Sequence, residues 1–325
     1  MPDAPPVFNI VVTDQGFWHL RVFVCSLLHN SDARFRLVAN ACGRETLDLM
    51  EDYASAHPER VVEVVDLAAT ELLRHGVVLD AVRGSRHDGD LFCFVDPDIK
   101  AKGPFLATFS ELLKAHSAVT SGQEVWTDEN VVPATHLGLG LDGRHSFHPN
   151  GFVYGCPHFA MYRRADLDET CARWGVGLGS AGLDIPDETR ARLETAGHLY
   201  RVYDTGKVVN ILLQLDGKAL RHVDSPELLH IGGMSHFLTP WCGGKGGEIE
   251  TPGWAAYHGM EPRLITARFT AALLRSLIEG TPAPDLPSGL DPAMEERLLM
   301  VRREVVDLVE RYRTCSTGPV GAASR

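Results

Sequence analysis

The feature that most constrains this chain is a recurring pair: a short, almost wholly apolar run, then a polar turn and a helical pattern. Val7-Phe8-Asn9-Ile10-Val11-Val12 leads into Thr13-Asp14-Gln15-Gly16 and a helical pattern over 18–28. A strand over 35–39 precedes a helix over 44–56, and a strand over 61–65 precedes a helix over 70–82. Leu91-Phe92-Cys93-Phe94-Val95 precedes a helix over 104–116. Runs without a polar alternate face suit strands buried on both sides. Their alternation with helices predicts an α/β fold, a mostly parallel sheet with helices on its two faces. Ligands of such sheets bind beyond the carboxyl ends of the strands. Thr13 and Asp14 stand at the first such end, and Asp96-Pro97-Asp98 at the fourth.

Past residue 117 the pattern changes. Short strands and loops mix over 117–157, a helix over 186–196 ends at Gly197, and a strand follows over 199–203. Residues 208–215 fit a strand or a short helix. Gly and Pro crowd 239–259, which reads as a loop able to close over a ligand with Trp241 or Trp254. Two helices follow, over 262–279 and 292–312. In the second, Met294, Leu298, Val301, Val305, Leu308 and Tyr312 form one stripe, widened by Leu299, Val306 and Val309. Such a stripe needs a partner: the chain's own preceding helix, or the same helix of a second copy in a homodimer. The last residues read as a disordered tail.

Composition narrows the function. The 325 residues carry 31 Lys and Arg against 43 Asp and Glu, a formal charge of −12. That charge opposes broad nucleic-acid binding but leaves room for a local phosphate pocket. No stretch approaches the 18 or so apolar residues of a membrane span, and no basic segment precedes the first apolar run as in a secretory leader. Seven cysteines without a CxxC pair fit free thiols better than a disulfide framework or a zinc module. The expected setting is cytoplasmic.

Two local features carry chemistry. Asp96-x-Asp98 places two carboxylates at a strand end, where they could hold Mg2+ or Mn2+ with positions left for substrate phosphates. The plainer reading is a solvated turn. Leu229-His230-Ile231-Gly232-Gly233-Met234-Ser235-His236 offers an imidazole beside glycines that let backbone approach a ligand. Its plainer reading is a buried histidine before a turn. Asp14 equally fits a helix cap, Arg83 a surface cation, and the 150–158 segment a β-turn. The spacing of His145, His148 and His158 fits no zinc pattern.

The segment Phe92-Cys93-Phe94-Val95-Asp96-Pro97-Asp98-Ile99, followed by Gly103, resembles the DxD segment of GT-A nucleotide-sugar glycosyltransferases, family 8 most of all. Asn9-Ile10-Val11-Val12-Thr13-Asp14 and Ser26-Leu27-Leu28-His29-Asn30 resemble that family's opening strand and helix. The resemblance covers about residues 7–242. It implies a GT-A-like, Rossmann-type sheet with a C-terminal helical extension, and a divalent ion held by Asp96, Asp98 and His230. It also implies a nucleotide-diphosphate sugar contacted by Thr13, Asp14, Arg83, Asp96 and Gly233. His236 stands where the family carries a phosphate-binding Lys, a departure that Lys245 could make good. Asn150 and His158 fall where such enzymes meet the transferred sugar and acceptor. Asp184 and Asp187 precede an Arg-containing helix, as does the general base of inverting family 2 enzymes, although acidic residues also favour helix N-termini.

The implied organisation is a catalytic domain over 1–259, with a nucleotide-binding half over about 7–116 and an acceptor half over about 117–259. A helical region over 260–313 and a tail over 314–325 complete it. The implied activity is metal-dependent sugar transfer to an unidentified small-molecule or glycan acceptor. Family 8 implies retention of anomeric configuration, and Asp184 and Asp187 keep inversion open. The alternatives are a haloacid-dehalogenase-like phosphohydrolase, whose nucleophile motif is also DxD, and a non-catalytic nucleotide-binding protein.

Overall fold

The computed structural model describes residues 4–14, 16–85, 87, 89–127, 131, 141–142, 145–155, 158–182, 184–198, 202–234 and 261–316. Seven strands form the central sheet: β1 (Val7–Thr13), β2 (Arg34–Asn40), β3 (Val61–Asp66), β4 (Leu91–Val95), β6 (Ala118–Thr120), β8 (Phe159–Arg163) and β10 (Leu220–His222). Their order is β10-β6-β8-β4-β1-β2-β3. All pairs are parallel except those of β8, which runs antiparallel to both β4 and β6. Two small pairs stand apart, β5 (Ile99–Ala101) with β11 (Leu228–His230), and β7 (Leu141–Asp142) with β9 (Val202–Tyr203).

The period of two in each strand splits the core. Phe8, Ile10 and Val12 face α1 (Phe17–His29), α2 (Arg44–Ala56) and α4 (Leu106–Leu112). Val11, Phe92 and Phe94 face the other layer, made by α3 (His75–Val82), α5 (Arg164–Trp174) and α7 (Lys207–Leu215). A ninth-residue exception is instructive: Asn9 is fully buried, and its side chain donates to the Cys93 carbonyl and accepts from Arg36. A buried amide left without partners would cost about 1–3 kcal/mol. The short α6 (Asp187–Thr195) completes the second half.

The two C-terminal helices, α8 (Glu261–Glu279) and α9 (Pro292–Ser316), lie over α1. Met294, Leu298, Val301, Val305 and Leu308 are buried against α8 and against Leu20 and Phe23 of α1. The stripe is therefore covered within the chain, by the preceding helix, one of the two partners open to it, and by α1. The outer Leu299 is exposed. α9 continues through Ser316, so residues 314–316, expected in the tail, are helical; residues 317–325 lie outside the described residues.

Two helices are shorter than the sequence expectation for local reasons. The helix expected over 70–82 begins at His75, because the Asn40 side chain accepts from the Leu73 N–H and donates to its carbonyl. That pairing takes both backbone groups from a helix. The helix expected over 104–116 spans Leu106–Leu112, and the Arg163 guanidinium donates to the carbonyls of Leu113, Lys114 and His116 just beyond it. The ambiguous 208–215 segment is α7, with a buried apolar face. No helix among the described residues is long and apolar enough to cross a membrane.

Candidate metal and donor site

β4 delivers Asp96 and Asp98 to the carboxyl end of the sheet, and the Asp96 N–H donates to the His158 carbonyl at 2.7 Å. The chain then continues directly as β5. Its antiparallel partner β11 places His230 opposite Ile99. This register sets His230 Nε2 3.2 Å from Asp98 Oδ1 and 4.0 Å from Asp96 Oδ2. Two glycines follow with positive φ, 77° at Gly232 and 80° at Gly233. The turn they make returns the Met234 N–H to Asp98 Oδ2 at 3.2 Å. It is also tight: a Cβ on Gly232 would stand 2.6 Å from Glu124 Cγ, and one on Gly233 2.8 Å from Arg263 Cγ. Only glycine meets both the backbone angle and the space.

A second imidazole completes the cluster. β8 is antiparallel to β4, so His158, just before it, lies beside Asp96. His158 Nδ1 is 3.0 Å from Asp96 Oδ2, and its Nε2 is 2.6 Å from Glu124 Oε1. The His158 and His230 rings lie 4.0 Å apart, centroid to centroid. His75, at the start of α3, approaches the far oxygen of Asp96 at 3.7 Å.

The electrostatics follow from this packing. Burial pushes the Glu124 carboxyl up, but the adjacent His158 and then His230 outweigh it and hold it at about 2. Burial acts the same way on Asp98, and the charge and hydrogen bond of His230 again prevail, so Asp98 is held below its ordinary value. His75 moves the other way: burial disfavours its cation more than Asp96 supports it, and it is lowered. The site thus keeps ionised carboxylates in a largely buried setting.

Asp96, His158 and His230 each offer one ligand atom, and these atoms all lie within 4.8 Å of one another. One carboxylate and two imidazoles suit a first-row divalent ion such as Mn2+ better than Mg2+, which favours oxygen. Two buried polar atoms of the cluster, His230 Nδ1 and Glu124 Oε2, have no hydrogen-bond partner among the described residues. The residues present therefore fit a divalent ion. Asp98 differs from expectation in detail, since its two oxygens face His230 Nε2 and the Met234 N–H. Asp96, by contrast, faces His158 at 3.0 Å and His75 at 3.7 Å.

The other expected residues divide. Thr13 Oγ1 is buried at the end of β1 and has no partner among the described residues. Asp14 accepts from the Gly43 N–H and the Thr46 hydroxyl, so it caps α2 across the strand end. Arg83 pairs with Asp168 at 2.9 Å and lies 3.8 Å from Asp80; neither belongs to the DxD segment. Asn150 is exposed in a turn, where it accepts from the Phe152 N–H. Asp184 accepts from Arg74 and from the N–H groups of Ala181 and Gly182. Burial raises its pKa, but those bonds bring it down to about 2. Asp187 is the first residue of α6. His236, Lys245, Trp241 and Trp254 lie outside the described residues.

Sequence reasoning missed three residues. Glu124 sits in a stretch without readable periodicity. His75 was visible only as one position of a helix. Arg263 of α8 touches the Gly233 position and lies over Trp126, its guanidinium carbon 6.0 Å from the ring centroid. It brings a permanent positive charge to the turn after His230, and no local motif announces it.

No known family profile matches the chain, and no curated protein matches it. Solved structures do. A mannosyltransferase from Pyrobaculum calidifontis, in complex with GDP-Man and Mn2+, is similar at 15% identity and a TM-score of 0.42, over 100% of this chain and 79% of that one. The glycosyltransferase GlyE of Streptococcus pneumoniae is similar at 9% identity and a TM-score of 0.42, over 99% of this chain and 66% of that one. The galactosyltransferase LgtC, in complex with donor and acceptor sugar analogs, is similar at 13% identity and a TM-score of 0.42, over 95% of this chain and 100% of that one.

Proposed function

We propose that the chain is a metal-dependent glycosyltransferase acting on a nucleotide-diphosphate sugar. The observation that carries this reading is the convergence of Asp96, His158 and His230 from three separate strand ends at the carboxyl edge of a mostly parallel sheet. Asp96, His158 and His230 would hold the ion, preferably Mn2+. When bound, it would offset the negative charge that grows on the departing diphosphate. Glu124 fixes His158 by accepting from Nε2, leaving Nδ1 toward Asp96, whereas Asp98 lies against the same His230 nitrogen, Nε2, that faces Asp96 and would stand beside the ion rather than behind the ring.

Arg263, beside Gly233, takes the place of the missing Lys as the fixed cation for the diphosphate. Thr13, at the end of β1, supplies a buried hydroxyl for the nucleoside. The acceptor enters from the 150–190 side. Asp184 is a poor general base there, because its oxygens already serve Arg74 and two backbone N–H groups. Its engagement removes one of the two candidate bases, and Asp187, exposed at the start of α6, remains the candidate for inversion. A dehalogenase-like phosphohydrolase needs its second Asp free as an acid, and Asp98 has both oxygens engaged in this structure.

The test is a thermal-shift panel of nucleoside diphosphates with and without Mn2+. A ligand bound only by the folded state raises its apparent stability by mass action. The expected result is one nucleoside diphosphate that stabilises only with the ion. Phosphate release from phosphomonoesters, with no nucleotide response, would replace this reading with the phosphohydrolase. A nucleotide response without any donor turnover would indicate a binding protein.

A further inference from the structure

Three helices bring sulfur and nitrogen together in a second cluster. Cys25 lies in α1, and His29 stands one turn later on the same face. His57 is the residue after α2, and Cys315 is in the last turn of α9. Cys315 Sγ is 2.7 Å from Cys25 Sγ, 3.7 Å from His57 Nε2 and 3.9 Å from His29 Nδ1. Cys25, His57 and Cys315 each present a ligand atom, and these lie within 4.8 Å of one another. Cys25 is fully buried, and the other two are half-buried.

We propose that Cys25, His57 and Cys315 form a structural site for a thiophilic divalent cation, zinc by its chemistry, that fastens the C-terminal helix α9 to the catalytic half of the fold. The donor set argues for zinc: thiolate and imidazole are its preferred ligands, and structural sites are tetrahedral and closed. His29 is the fourth ligand. In the metal-free geometry its Nδ1 faces the Cys25 carbonyl at 2.9 Å, and ligation exchanges that hydrogen bond for the metal. Zn–S bonds of about 2.3 Å at a tetrahedral centre place two thiolates roughly 3.8 Å apart. The sulfurs must then separate by roughly 1 Å from their present contact. Cys315 can supply that movement, because helix ends fray more readily than their centres. The two imidazoles favour a metal over a simple cross-link, which would need neither.

No local spacing reveals this site, since its ligands span residues 25 to 315. It also separates cleanly from the donor site, which holds no sulfur among Asp96, His158 and His230. The full chain is purified in a non-thiol reductant, its zinc is measured, and the metal is replaced with Co2+. The expected results are about one bound zinc and a thiolate-to-cobalt charge-transfer band. The band is lost in Cys315→Ser and altered in His57→Ala, both at or beyond helix ends where the fold tolerates them. Asp96→Asn leaves it unchanged. Three results overturn the proposal: no thiolate band, a band indifferent to both substitutions, or protein isolated without zinc but with Cys25 and Cys315 oxidised to a disulfide.

Discussion

The imidazoles of His158 and His230 lie 4.0 Å apart, centroid to centroid, although 72 positions separate them in the chain. One arrives just before the antiparallel strand β8 and the other at the end of β11 in the small β5–β11 pair. Both lean on an acidic partner, Glu124 for His158 and Asp98 for His230. Only the Glu124 contact is made by the ring nitrogen turned away from Asp96, the arrangement that orients a ligating imidazole and raises its basicity.

Asp98→Asn keeps the size of the side chain and removes its charge. The fold should survive, because Asn can still accept from the Met234 N–H. Turnover is expected to fall by about a hundredfold or more, on the scale of a lost preorganised electrostatic contact. Steady-state kinetics with saturating Mn2+ check this. Near-normal turnover would remove Asp98 from the machinery.

Glu124→Gln is the more specific variant, since Glu124 does not face the ion directly. Loss of its carboxylate should weaken Mn2+ binding by about ten- to a hundredfold while leaving turnover at saturating metal closer to normal. A Mn2+ titration at fixed donor reads the two quantities separately. Equal Mn2+ affinity in the two proteins would leave Glu124 a purely structural role.

Arg263→Met retains much of the apolar stem against Trp126 and removes the guanidinium. The expected effect is a rise in donor KM of about tenfold, corresponding to one lost charged hydrogen bond of about 1.5 kcal/mol. Lys in its place should recover part of the loss. An unchanged KM in Arg263→Met would show that another cation serves the diphosphate.

A pH-dependent stability term is expected at the base of β5. Lys100 is almost fully buried and lies 2.9 Å from Glu304 and 2.7 Å from Asp307, both on α9. Burial raises both carboxyl pKa values, but the Lys100 ammonium outweighs it, so both are held below 4.5 and 3.8 respectively. A depressed carboxyl pKa stabilises the fold above its unfolded value, and the stabilisation disappears as pH falls through the folded value. Lys100→Met should therefore destabilise at pH 7 and lose that penalty in acid. Denaturant unfolding at pH 7 and near pH 3 checks the sign. A penalty that persists unchanged in acid would contradict the ion-pair account.

Much of the first half was legible because its signals are local. Almost wholly buried strands such as β1, β2 and β4 and amphipathic helices such as α2 need no distant partner to be recognised. The DxD segment and His230 were legible for the same reason, each being a short motif at an element's end. Glu124, Arg263 and the role of His158 were not, because they enter the site through the antiparallel insertion of β8 and the docking of α8. Those are long-range pairings with no periodic trace. The buried Asn9 shows the converse: it sits in an apolar run, and only the β2 and β4 neighbours explain why it is there. The stripe on α9 and the preceding helix as a partner for it were visible in the sequence, but the share taken by α1 follows from tertiary packing alone.

The most direct test of the central claim is Mn2+ binding followed by electron paramagnetic resonance, in which the free aqueous ion gives a signal that binding quenches. The account predicts that one nucleoside diphosphate tightens Mn2+ binding to the wild-type chain, and that His158→Ala and His230→Ala abolish this coupling. Mn2+ binding that responds to no nucleoside diphosphate, or coupling that survives both substitutions, would contradict it.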